Sequence, residues 1–105
     1  MGLRLRRSHQ TLDVLNAMLA HSSEWCHGYA LSQQTALASG TLYPILMRLE
    51  KLHWLETRWE ADAEPGRPPR HLYRLTSDGR AWAKEELRDA EFAKFWKRTS
   101  SEVHP

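Results

Sequence analysis

The chain has 105 residues, 41% of them apolar, and a formal charge of +2. That length suits one domain with a modest core. No apolar run nears the roughly 20 residues of a membrane span, and the lone Cys26 excludes an internal disulfide framework and fits a reducing compartment. The basic start (Arg4, Arg6, Arg7) leads into no signal-peptide core. The expectation is a cytoplasmic protein with no membrane partner.

Residues 8–21 read as a first helix, with Leu12, Leu15, Met18 and Leu19 in one apolar stripe and Ser8 or Thr11 as its cap. A polar turn follows at 21–25, then a short second helix at 27–34. Residues 35–38 form a tight connection. Ser39 reads as the N-cap of a third helix ending near His53, with Leu42, Ile45, Leu46, Leu49 and Leu52 facing inward. Its other face carries Gly40, Tyr43, Pro44, Met47, Arg48 and Lys51. Pro44 costs this helix a backbone bond or shifts its start, and Gly40 one turn earlier relieves the ring.

Two strand signals come next. Residues 54–60 place Leu55, Thr57 and Trp59 on one face, and 71–75 repeat the alternation with Tyr73 and Leu75. Between them lies the turn-rich tip Pro65-Gly66-Arg67-Pro68-Pro69, so the pair reads as a long-looped hairpin with an arginine-bearing end. Thr76 caps a last helix over 77–97, with Asp78 suited to its positive end. Trp82, Ala83, Leu87 and Ala90 form one stripe, widened by Phe92, Phe95 and Trp96. The division expected is a basic arm at 1–7, a DNA-binding unit at 8–76, a dimerisation helix at 77–98 and a frayed tail at 99–105.

The fold class expected is therefore mainly α with a small β-hairpin: a helix pair joined by a short turn, a hairpin, and a closing helix. That is the plan of a winged helix-turn-helix. The third helix is slim at its N-terminal end, where Ser39, Thr41 and Tyr43 can meet phosphates or base edges in a major groove about 12 Å wide. Arg67 and Arg70 at the tip suit phosphate or a narrow minor groove. Arg74 and Arg80 follow them, while Glu56, Glu60, Asp62 and Glu64 sit just before, a segregation that can mark a phosphate-binding face or a merely solvated one. Tyr29 and Arg48 complete the candidate DNA contacts. Cys26 adjacent to His27 is poor ligand geometry and no paired metal spacing occurs, so no metal or cofactor is expected. No nucleophile, base and orienter stand together, which argues against an enzyme.

The stretches His27-Gly28-Tyr29, Ser39-Gly40-Thr41-Leu42-Tyr43-Pro44-Ile45-Leu46-x-Arg48-Leu49-Glu50, Gly66-Arg67-Pro68-Pro69-Arg70 and Tyr73-Arg74-Leu75-Thr76-x-x-Gly79-Arg80 resemble the PadR family of transcriptional regulators. The resemblance spans about 12–87, and the Gly-Thr-Leu-Tyr-Pro run is its most specific part. It implies a short-tailed member: a dimeric repressor joined through its first and last helices, binding a palindromic operator in double-stranded DNA. It also allows a small aromatic or hydrophobic effector in a pocket lined by Leu15, Trp82, Phe92 and Trp96. The competing reading is a dimeric winged-helix module for protein interaction, without tight DNA binding.

Overall fold

The computed structural model describes residues 9–21, 24–61 and 64–103, with side chains as far as Lys94. The basic arm at 1–7 lies outside the described residues, as do the side chains of Phe95 and Trp96. Four helices and three short strands follow in the order α1 (His9–Ala20), β1 (Cys26–His27), α2 (Gly28–Thr35), α3 (Ser39–Lys51), β2 (Leu55–Trp59), β3 (His71–Leu75) and α4 (Ser77–Val103). The expected winged-helix plan is the one observed. It gains β1, which pairs antiparallel with β3 through Cys26 opposite Tyr73 and His27 opposite Leu72, giving the sheet order β1-β3-β2.

Heptad-like spacing puts the leucines of α3 on one side, and all four of Leu42, Ile45, Leu46 and Leu49 are buried. They meet Val14, Leu15 and Met18 of α1, Leu31 of α2, Leu55, Tyr73 and Leu75 of the sheet, and Ala83 of α4. Burying side chains of this kind contributes about 1.5–3 kcal/mol each. The α1 stripe is thus core of the chain itself: Leu15 and Met18 are buried within it, and Leu12 and Leu19 are only half-covered. Thr11, considered as a cap, is instead a buried residue inside α1.

Hydroxyls set the turn between α2 and α3. Ser32 Oγ donates to the Leu37 carbonyl at 2.7 Å, and Thr35 Oγ1 donates to the Leu31 carbonyl at 2.7 Å. Ala36 takes the left-handed conformation at φ 59°, closing α2. α3 begins at Ser39, so Ser39 is its first residue and not its cap. Ala38 holds the cap position and offers no side-chain bond. Pro44 lies inside the helix, and its missing N–H is the cost, with no shift of the start. At the far end His53 adopts φ 63° while the Trp54 N–H reaches back to the Leu49 carbonyl at 3.0 Å, a Schellman-type stop.

Thr76 joins the sheet to α4. Its Oγ1 accepts from the Gly79 N–H at 2.9 Å and donates to the His53 carbonyl at 3.0 Å. Gly79 is buried against Trp54: a Cβ there would fall on the Trp54 carbonyl, 2.9 Å from its carbon. Trp82, one turn on, stacks on Trp54 with centroids 3.8 Å apart. α4 continues past the end expected at Lys97 to Val103, because 91–103 holds neither Gly nor Pro to stop it. At 27 residues it is about 40 Å long, longer than the core it packs on, and residues 91–94 on it are exposed.

Candidate nucleic-acid interface

The start of α2 is where three of the expected contact residues, Tyr29, Tyr43 and Arg70, lie on or against the His27–Tyr29 run. His27 caps α2, its Nδ1 accepting from the Ala30 N–H at 3.2 Å. Gly28 follows, buried, and the ring of Tyr43 from α3 covers it. A Cβ at position 28 would fall on the Tyr43 hydroxyl and 2.7 Å from Cζ. Only glycine leaves room for this tyrosine. Tyr43 therefore does not stand free on the outer face of α3 as the helical spacing suggests: it is 39% exposed, with its hydroxyl turned back on α2. Tyr29, beside Gly28, is 68% exposed. Tyr73 lies behind Tyr43; its phenol is pushed up by burial and by Tyr43 and Glu50.

Ser39 and Gly40 are exposed in the first turn of α3 and Thr41 is half-buried. The Ala38 carbonyl accepts from the N–H groups of Thr41 and Leu42 at 3.0 and 2.9 Å. Arg48 is exposed farther along the helix and lines a shallow surface with Pro44, Met47 and Lys51. The structure thus sets Tyr43 against Gly28 and Arg70 against His27, just before Tyr29 in the chain, and leaves Arg48 about two and a half turns from Ser39 along α3.

The wing supplies the arginines. Glu64-Pro65-Gly66-Arg67 closes a turn through the Arg67 N–H and the Glu64 carbonyl at 3.1 Å, and Gly66 takes φ 85° there. Glu60 ends the hairpin ladder, its N–H bonding the Arg70 carbonyl at 2.8 Å. Its carboxylate accepts from Arg67 Nη1 at 3.0 Å and from the Arg70 N–H at 3.4 Å, and lies 3.9 Å from Arg70 Nε. Against the desolvation that would raise it, these bonds and charges hold the Glu60 carboxyl below its ordinary range.

Arg70 Nη1 also stands 3.0 Å from His27 Nε2. A neutral imidazole has one acceptor nitrogen, so His27 can accept from the Ala30 N–H at Nδ1 or from Arg70 at Nε2, but not from both at once. Partial burial and the charges of Arg70 and Arg67, opposed by Glu60, hold His27 below its ordinary pKa. On the sheet's outer face Trp25 is held between Arg58 and Arg74, whose guanidinium carbons lie 4.5 and 4.3 Å from its ring centroid, and Arg74 also pairs with Glu56 at 3.1 Å.

Of the residues considered for an effector pocket, Leu15 is wholly buried in the chain's core and Trp82 is stacked on Trp54. Phe92 is 66% exposed and lines a cleft of about 680 Å³ between α1 and α4 with His9, Leu12, Asp89, Ala90, Ala93 and Lys94. Trp96 falls outside the described side chains. Among the described residues no group of His, Cys, Asp or Glu could hold a metal ion, and no helix is long and apolar enough to cross a membrane.

Sequence reasoning overlooks three members of this site. His27 and Gly28 carry signals in the His-Gly-Tyr run, but the partner that makes Gly28 necessary lies fifteen positions on, at Tyr43. Glu60 is visible in the sequence only as one of several acids before the wing.

No curated protein matches the chain. Solved structures do. The structure of smu.1704 from Streptococcus mutans UA159 is 26% identical, with a TM-score of 0.72 over 96% of this chain and 95% of that one. A PadR family transcription regulator from hypervirulent Clostridium difficile R20291 is 23% identical, with a TM-score of 0.69 over 84% and 95%. NadR, solved in complex with 4-hydroxyphenylacetate, shares the fold at 18% identity and a TM-score of 0.65 over 90% and 64%. The model of the transcriptional regulator PadR-like family matches residues 18–85, from the end of α1 into α4 and including every residue of the cluster around Gly28. The chain belongs to the PadR-like family of transcriptional regulators.

Proposed function

We propose that the chain is a homodimeric, sequence-specific DNA-binding repressor that holds a palindromic operator and leaves it when a small aromatic or hydrophobic effector binds. The observation that carries this reading is the exposed first turn of α3 beside Tyr29, Tyr43 and an arginine wing. Ser39, Gly40 and Thr41 are small enough to enter a major groove, where base edges carry sequence information. Arg67 and Arg70 supply phosphate contacts, which position the protein without reading bases. Dimerisation through α4 and α1 is supported by the exposed Phe92 and its cleft with Leu12, Ala90 and Ala93. The same cleft suits an apolar effector, with His9 and Lys94 at hand for an acidic one, the class that 4-hydroxyphenylacetate represents in NadR.

A gel shift with the DNA upstream of the protein's own gene tests the reading. Retarded DNA that resists an excess of unrelated duplex supports it. Absence of any retardation at micromolar protein and low salt refutes DNA binding and favours a protein-interaction module.

A further inference from the structure

Two arginines at the wing are not free cations: one carboxylate sits between them. Glu60 Oε1 is 3.0 Å from Arg67 Nη1, 3.4 Å from the Arg70 backbone N and 3.9 Å from Arg70 Nε. The carboxylate belongs to the last residue before the wing loop, fixed by its own backbone bond to Arg70. Arg67 keeps only 31% of its side chain exposed in this arrangement.

We propose that Glu60 is an internal stand-in for a DNA phosphate: it pre-positions Arg67 and Arg70 while restraining the wing's grip on DNA of any sequence. Two features of its surroundings favour this role. A carboxylate and a phosphate present the same acceptor geometry to guanidinium, so the anion held at Glu60 marks where a backbone oxygen would sit. On its other side Arg70 Nη1 stands 3.0 Å from His27 Nε2, and the α2 cap competes for that ring's single acceptor, a weaker claim on the guanidinium than the carboxylate makes. A phosphate arriving at the wing must share the arginines with Glu60 and meet its negative charge. Part of the counterion release that drives binding has therefore already been spent within the protein.

The inference rests on the DNA-binding reading, and the test separates the two. The intact chain and its Glu60→Gln variant are titrated with a labelled duplex of about 30 base pairs of arbitrary sequence, at several salt concentrations. Gln keeps an oxygen for Arg67 and removes the charge. The expected result is affinity raised about three- to tenfold, with the slope of log affinity against log salt steeper by about 0.9, one more phosphate's worth. In an Arg67→Ala/Arg70→Ala background the same change should have less than half that effect. Unchanged or weaker binding by Glu60→Gln overturns the inference and leaves DNA binding intact, as does an equal gain in the background without the arginines, since Glu60 would then act only as general surface charge. A wild-type chain that binds no duplex at all overturns both. Melting curves of each variant confirm that binding is compared between folded molecules.

Discussion

α3 rests on four buried side chains, Leu42, Ile45, Leu46 and Leu49, whereas residues 64–70 at the wing tip include no buried residue and are tied back largely through Glu60. The first arrangement fixes a surface to the core; the second leaves charged groups on a tether that electrostatics can rearrange. Base reading needs positions held to a fraction of an ångström, and phosphate contact tolerates adjustment. The two regions therefore suit two parts of one task, and substitutions should separate them.

The largest effect is expected beneath α3. Leu46→Ala removes a side chain that is 1% exposed and should cost about 2–5 kcal/mol of stability, lowering the melting temperature and all DNA binding together. Arg67→Ala should leave stability within about 0.5 kcal/mol of wild type. Comparable losses of stability from both would dissolve the contrast between seated helix and tethered wing.

Gly28→Ala comes next. The new methyl must displace the Tyr43 ring, at a cost of about 1–3 kcal/mol, and sequence-specific affinity should fall more than non-specific affinity because only Tyr43 and Tyr29 are disturbed. Combining it with Tyr43→Ala should recover stability but not specificity. A stable Gly28→Ala protein with full operator affinity would show that Tyr43 does not need its seat.

The smallest effect concerns pH. The His27 imidazole is held below its ordinary value of 6.5, by burial first and then by Arg70 and Arg67, with Glu60 opposing. In the unfolded chain it protonates near 6.5, so the unfolded state takes up the proton first. Stability from this residue is complete above that pH and declines as pH falls below it, by up to about 1 kcal/mol as the α2 cap is lost. His27→Asn keeps a capping oxygen and should flatten this part of the profile. Melting temperatures of the two proteins between pH 7.5 and 5.5 check it, and parallel profiles would remove His27 as the cause.

The period of the apolar residues makes α1 to α4 and the β2–β3 hairpin legible in the sequence, and the winged-helix plan makes Ser39, Thr41, Tyr43, Arg67 and Arg70 the expected DNA contacts. β1 is not legible, because two residues carry no alternation; the sheet recruits them by pairing with β3. Trp82 reads as spare apolar surface for a dimer, since its stacking partner Trp54 lies 28 positions earlier and no local pattern links them. Tyr43 misleads in the same way. Helical spacing gives a residue's direction on its own helix, whereas what it meets depends on a glycine in another element. Ser39 as cap is the ordinary choice by residue type, yet the chain enters α3 through Ala38.

If α3 reads sequence while the wing holds phosphate, one paired titration should separate the two. Tyr43→Ala and Arg67→Ala/Arg70→Ala are each titrated against the operator and a scrambled duplex over a range of salt. Tyr43→Ala should lose about 1–3 kcal/mol on the operator alone, with its salt slope unchanged. The double arginine variant should weaken on both duplexes alike, its slope shallower by up to about 0.9 for each phosphate it no longer neutralises. A Tyr43→Ala protein that weakens equally on both duplexes, or an arginine variant that loses preference for the operator at an unchanged slope, would contradict the account.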